Sequence, residues 1–198
     1  MFNYAIYANI PSEITANIQE TMLYLHEKYS GMYTWKTTET PHITIAYGPE
    51  ISDSENEINT FDSVAIEHLL PGFLRVIDNP TVHAHGVSYF NNPNAWIIKI
   101  DFESDGLNQM LHHLRDTVPL INTRQTEFEI RDGFTYRDPR YVWAHCTLIA
   151  IKKDVDERTI IDIVADAQDH LKLRIPATFA TSSISLISAK TDTPVVLC

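Results

Sequence analysis

Two copies of a His-x-Thr pattern are the residues of this chain best suited to chemistry. They are His42-Ile43-Thr44 and His145-Cys146-Thr147, one in each half of the sequence. Both stand in short runs in which apolar residues alternate with the motif residues, a pattern typical of a half-buried β-strand. Residues two apart on a strand point to the same side of the sheet, so each motif presents an imidazole and a hydroxyl together.

Two such pairs have the groups needed to cleave a phosphodiester. Cleavage needs a base for the nucleophile and an acid for the leaving oxygen, and histidine can be either because its reference pKa is about 6.5. Hydroxyl donors on rigid strands can stabilise charge on the nonbridging oxygens. We predict His42 and His145 as the acid–base pair and Thr44 and Thr147 as phosphate ligands. The sequence leaves open which histidine is the acid, and the alternative is that all four residues are structural.

Composition and charge bound the class of substrate. The chain has 198 residues, 44% of them hydrophobic, and a formal net charge of −11, which predicts one domain spanning residues 1–198. The negative charge opposes binding to long nucleic acid, although a few local donors can still hold a small anion. We expect a short nucleotide substrate, no membrane partner and a monomer.

The only cysteines are Cys146 and Cys198. Two cysteines make a disulfide framework unexpected and favour the cytoplasm as the compartment.

The predicted elements occur in the same order twice. In each half a strand and a helix precede the motif strand, and a helix and further strands follow it, which predicts two similar lobes related by a pseudo-twofold axis. The predicted strands are residues 2–9, 42–47, 73–77, 82–90, 95–102, the second motif strand and 177–188; the predicted helices are 12–29, 59–70, 107–118 and 155–171; residues 50–57 form an acidic loop and 122–141 an irregular one.

The two motifs, their separation and the order of strands and helices resemble the 2H phosphoesterase superfamily, also called LigT-like. The resemblance implies an α/β (α+β) fold with two mainly antiparallel sheets, helices outside and a cleft between the lobes. It also implies a reaction without metal or other cofactor, with the motif histidines as acid and base. Members act on 2′,3′-cyclic phosphates, on 2′,5′-linked oligoadenylates and, in a phage-encoded (anti-CBASS) branch, on cyclic oligonucleotide signals of bacterial immunity.

This chain departs from the RNA-processing branch of that superfamily in its negative charge and in an acidic insertion after Tyr47. We therefore predict a phosphodiesterase for a small cyclic or 2′,5′- or 3′,5′-linked oligonucleotide, with water or a ribose 2′-hydroxyl as the nucleophile. One alternative is a 2′,3′-cyclic phosphodiesterase acting on RNA ends or nucleoside cyclic phosphates. Another is a protein that sequesters nucleotides without turning them over.

Candidate substrate-binding residues fall into two groups. The loop at 122–141 combines arginines, which pair with phosphate, and aromatic rings, which stack on bases; its acidic residues allow the alternative of an ordinary salt-bridged loop. The second group lies near the first motif: aromatic residues there can stack on a base, although strand aromatics often belong to the core, and Lys36 beside Trp35 can contact a phosphate. The candidates are Tyr4, Tyr7, Trp35, Lys36, Tyr136, Arg137, Arg140 and Tyr141.

Two further patterns are not expected to carry chemistry. His83-Ala84-His85, with His112 or His113 as a third ligand, could hold a metal, but no carboxylate spacing supports this and exposed strand histidines explain the pattern equally well. Cys146 faces away from His145 on the predicted strand, toward the core, so we do not expect it to be a nucleophile.

Overall fold

The protein is described from a computed structural model, which covers residues 4–35, 40–47, 79–110, 144–172, 174–188 and 195–196. Two antiparallel sheets organise these residues, as the α+β prediction requires. The first sheet has the strand order β3-β1-β8-β9 and the second has the order β2-β6-β5-β4-β7. The strands are β1 (Tyr4–Asn9), β2 (Tyr33–Trp35), β3 (His42–Tyr47), β4 (Thr81–Asn92), β5 (Ala95–Glu103), β6 (Ala144–Lys152), β7 (Thr178–Ala180), β8 (Ser183–Ser188) and β9 (Val195–Val196).

The described residues include two long helices. In α1 (Ser12–Lys28) apolar residues recur every three or four positions, and this stripe is buried, as expected for an amphipathic helix. In α2 (Glu157–Leu171) the carboxylate of Asp156 accepts a hydrogen bond from the backbone N–H of Thr159 at 3.0 Å and so caps the first turn. Residues 105–110 are also helical. Among the described helices, none combines the length and apolar character needed to cross a bilayer.

One hydrophobic core is shared by both sheets and both helices. From the first sheet it takes Ile6 and Ile43, and from the second Ile98 and Cys146, all at most 1% exposed. On the two motif strands, Ile43 and Cys146 each stand between two partly exposed residues. One side of each sheet therefore faces the common core, and the other side is left to the alternate residues.

The two sheets repeat a common unit. In the first, β1 and β3 pair antiparallel with α1 between them in sequence; in the second, β5 and β6 pair antiparallel with the helical residues 105–110 between them. The third strand of the unit is β8 in one sheet and β4 in the other. This correspondence agrees with the predicted duplication and places one His-x-Thr motif on an equivalent strand of each sheet.

Most of the predicted elements that can be compared are confirmed. The first motif strand has its predicted bounds, and the helices predicted at 12–29 and 155–171 appear as α1 and α2. The region 177–188 forms two strands, β7 and β8. The short strands β2 and β9 were not predicted, because runs of two or three residues carry no periodicity. The predictions for 50–57, 59–70, 73–77, 111–118 and 122–141 lie outside the described residues.

The contact between α1 and α2 contains a titratable group. His170 Nδ1 lies 2.8 Å from the Thr21 hydroxyl, and its ring stacks on Tyr24 at a centroid distance of 4.4 Å. Burial, with the nearby positive charge of Arg174, lowers the pKa of His170 below its usual 6.5, and Glu20 only partly opposes this. The folded protein therefore favours the neutral ring.

Stability is expected to fall as the pH drops from about 7 to about 5, because the unfolded chain protonates His170 before the folded protein does. The contribution of neutral His170 to the free energy of unfolding is fully present above the ordinary histidine pKa. It is lost as the pH falls through the lower pKa that His170 has in the folded protein. Urea unfolding of the wild type and of His170→Gln across this range measures it. The variant should lose less stability on acidification; an equal loss in both would contradict the assignment.

Candidate functional site

The motif residues lie on the side of their strands away from the core. Ile43 and Cys146, between the motif residues, are at most 1% exposed, whereas His42, Thr44, His145 and Thr147 are all half-buried. Neither imidazole is sealed in the interior. Each sheet therefore has a side, opposite the core, that carries one motif, and we call these two sides together the motif face.

Both motif strands carry a β-bulge at the same place. Tyr7 of β1 pairs with Thr44 while the preceding Ile6 pairs with Ala46, so Ile45 is an extra residue on β3. In the second sheet Lys99 pairs with Thr147 and the preceding Ile98 with Ile149, so Leu148 is extra on β6. Each bulge therefore follows the motif threonine directly. Bulges of this kind bend a strand and re-aim its side chains, and they occur often next to active sites.

Contact between β3 and β6 brings the two motifs to the seam between the sheets. The fully buried thiol of Cys146 lies within hydrogen-bonding reach of the backbone N–H of His42. Cys146 immediately follows His145 in sequence, so the backbone of one motif touches the centre of the other. The two His-x-Thr units are thus neighbours in space although they are distant in the chain.

His42 is held on two sides. Its Nδ1 lies 2.9 Å from the backbone carbonyl oxygen of Thr40, and a carbonyl only accepts, so Nδ1 carries the proton. The Tyr7 ring stacks on the imidazole with centroids 3.7 Å apart and an interplanar angle of 25°. In the neutral ring the lone pair is consequently on Nε2, the nitrogen that can take up a proton.

A polar row continues from His42 across the first sheet. Asn9 is the cross-strand partner of both His42 and Ser183. Its side-chain N–H groups donate to Ser183 Oγ at 2.8 Å and to Ser185 Oγ at 2.6 Å. Because each serine accepts from Asn9, each keeps its own O–H proton to donate elsewhere.

The surroundings of His145 carry charge. Asp101 is its cross-strand partner and Lys99 is that of Thr147; directly opposed residues share a face of the sheet. Lys99 is only 5% exposed and forms an ion pair with Asp101. The Phe90 ring meets the His145 ring edge-on, with centroids 6.0 Å apart.

Of the predicted substrate-binding residues, Tyr7 lies on the motif face. Tyr4 is in β1 and Trp35 in β2, where Trp35 pairs with Ala150. The predictions for Lys36, Tyr136, Arg137, Arg140 and Tyr141 fall outside the described residues.

The histidines of the considered metal site have other partners. His83 Nδ1 lies 2.9 Å from the Thr178 hydroxyl, and His85 Nε2 lies 2.8 Å from Glu103 Oε2. His112 and His113 are outside the described residues. Within the described part of the chain, no three ligating side chains come together in a way that could hold a metal ion.

Sequence reasoning missed several residues of the motif face. Asn9, Ser183 and Ser185 sit in strands that were predicted, but nothing local ties them to the first motif. Lys99 and Asp101 did leave a signal, since they are charged residues alternating with isoleucines in Ile98-Lys99-Ile100-Asp101. Their position beside the second motif depends on strand pairing, which the sequence does not show.

Comparison with known proteins supports the architecture. No protein-family model matches the chain, and neither does any curated protein. Solved structures do match, and each match covers 98% of this chain. TT0787 of Thermus thermophilus is 17% identical, with 94% of its chain covered and a TM-score of 0.51. Kluyveromyces marxianus Usb1 with uridine monophosphate is 11% identical, with 97% covered and a TM-score of 0.52, and Escherichia coli LigT complexed with phosphate is 14% identical, with 94% covered and a TM-score of 0.50. The chain therefore has the fold of these proteins.

Cys146 should behave as an inert thiol in the folded protein. Burial raises its pKa to about 12, and the backbone N–H of His42 offsets this only in part, so little of the reactive thiolate forms near neutral pH. In a Cys198→Ser background, iodoacetamide at about pH 8 should leave the native protein unlabelled and modify it after denaturation. Cys146→Ala in the same background gives the blank. Native labelling as fast as that of the denatured chain would contradict the burial.

Proposed function

We propose that the protein is a metal-independent phosphodiesterase for small nucleotides, with His42 and His145 as its acid–base pair. The observation that carries the proposal is the meeting of the two motif strands at one seam, with both imidazoles half-buried on the side away from the core. Fold similarity to solved structures, among them LigT complexed with phosphate and Usb1 with uridine monophosphate, points the same way.

His42 is assigned as the general base. The hydrogen bond from its Nδ1 to the Thr40 carbonyl leaves the lone pair on Nε2, and the stacked Tyr7 ring holds the imidazole plane. Nε2 removes the proton of the attacking hydroxyl as its oxygen forms a bond to phosphorus. The attacking group is water, or a ribose 2′-hydroxyl when one lies next to the scissile phosphate.

His145 is then the general acid. It enters the reaction protonated and gives its proton to the leaving oxygen as the bond from that oxygen to phosphorus breaks. Thr44 and Thr147 donate hydrogen bonds to the nonbridging oxygens, on which charge accumulates in the transition state. After turnover His42 carries the extra proton and His145 lacks one, and exchange with solvent restores both.

The proposed substrate is short and anionic. A net charge of −11 disfavours a long polyanion, whose binding needs many cationic contacts. A cyclic or 2′,5′- or 3′,5′-linked oligonucleotide, including the cyclic signals of bacterial immunity, fits this constraint better than an RNA end. Nucleoside 2′,3′-cyclic phosphates and RNA ends remain the second substrate class to test.

Replacing either motif histidine should lower the turnover rate strongly. His42→Ala and His145→Ala are assayed by chromatography with 2′,3′-cyclic AMP, 2′,5′-oligoadenylate and cyclic di- and trinucleotides, with and without EDTA. Each variant should lose about 10²–10⁴-fold in kcat, the usual contribution of a general acid or base. EDTA should have no effect.

His170→Gln is the matched control, since it changes a histidine between α1 and α2, away from the motif face. It should retain wild-type turnover at about pH 7, above the range in which His170 titrates. Undiminished activity in both motif variants would remove the catalytic assignment. Loss of product with EDTA would indicate a metal, and tight binding without product from any substrate would indicate a sequestering protein.

A further inference from the structure

A buried charge lies next to the second motif. Lys99 is 5% exposed, and its ammonium is paired with the Asp101 carboxylate, whose side chain is 18% exposed. Ile98 and Ile100, which alternate with them on β5, are fully buried in the shared core. The ion pair therefore belongs to the motif face and not to the core side of the sheet.

Strand pairing places this ion pair beside the motif residues, on the neighbouring strand and on the same face of the sheet. Lys99 is directly opposite Thr147 and Asp101 is directly opposite His145, at a Cα separation of about 5 Å, as in any antiparallel pair. Thr147 is one of the two threonines assigned above to the substrate's phosphate. A positive charge consequently stands one strand away from where that phosphate is expected to bind.

The equivalent positions in the first sheet carry no formal charge. Tyr7 is opposite Thr44 and Asn9 is opposite His42, so Tyr7 corresponds to Lys99 and Asn9 to Asp101. The backbone pairing of the two units is the same, including the bulge after each threonine. Because Tyr7 and Asn9 serve this backbone geometry without an ion pair, the geometry alone does not require Lys99 and Asp101.

A structural role accounts poorly for the pair. Taking two charges out of water costs free energy, and neutral residues of similar volume often serve stability as well or better. The protein also carries a net charge of −11, which repels an approaching anion. A fixed ammonium in a poorly solvated position attracts a phosphate more strongly than one in bulk water does.

We propose that Lys99 supplies the positive charge that holds the substrate's phosphate beside Thr147, and that Asp101 is a positioning residue that keeps this ammonium on the motif face. The nature of the substrate is taken from the proposed function, but the binding of phosphate by Lys99 can be tested independently of turnover. One half of the duplicated site thus provides the cation, and the other half provides the neutral hydroxyl donors of Ser183 and Ser185, which accept from Asn9.

The test measures turnover and phosphate binding in a set of charge variants. Turnover is followed with the best substrate of the nucleotide panel, and inorganic phosphate binding is followed by calorimetry and by competitive inhibition. Lys99→Met should lower kcat/KM about 100-fold, as expected when one preorganised electrostatic contact is lost, and should weaken phosphate binding. Lys99→Arg retains the charge and should recover part of both.

The double variant Lys99→Met/Asp101→Asn separates the electrostatic role from a structural one. It removes both charges without leaving either unpaired, so a purely structural pair predicts recovery to near wild-type activity. We expect it to remain as impaired as Lys99→Met while its unfolding midpoint recovers. Lys28→Met, which breaks the ion pair of Lys28 with Asp166 between the helices, should leave turnover and phosphate binding unchanged.

The outcomes distinguish the two proposals. If turnover requires the motif histidines but the double variant is as active as the wild type, the inference about Lys99 is overturned and the proposed function stands. If no substrate is turned over but phosphate binding still depends on Lys99, the proposed function fails and the anion site stands. If phosphate binding is the same in all the variants, Lys99 does not form an anion site.

Discussion

The alternation of side chains along β3 and β6 is the constraint on which the site depends. Ile43 and Ile45 on one strand, and Cys146 and Leu148 on the other, are buried in a core that both sheets share. Their burial directs the motif residues to the opposite side, because a shift of one residue would place an imidazole in the core and an apolar side chain on the surface. The hydrophobic core thus orients both His-x-Thr units at once.

The repeated unit gives the site a symmetric backbone and asymmetric chemistry. Each motif threonine is followed by a bulge residue, and each motif strand pairs with the strand that precedes it in its own unit. The side chains facing the motifs differ, however, with Tyr7 and Asn9 on one side and Lys99 and Asp101 on the other. The two histidines in equivalent positions therefore have different neighbours, which is compatible with the different proton-transfer roles proposed for them.

Much of the fold could be predicted because its strong signals are local. The motif strands, α1 and α2 show clear periodicity, and the structure confirms them. The placement of Cys146 in the core also follows from alternation alone. Tyr7 could be proposed for the site only as one of several aromatic residues, because nothing local distinguishes an aromatic side chain on the motif face from one in the core.

The chain by itself determined the two motifs, the face on which each would lie and the duplicated order of elements, since these depend on residues within a few positions of one another. Tertiary structure decided that the motif strands meet through His42 and Cys146, and that Asn9, Ser183, Ser185, Lys99 and Asp101 join them. These neighbours depend on strand pairing and on the bulges at Ile45 and Leu148. Pairing register is a non-local property, settled only when the whole core packs.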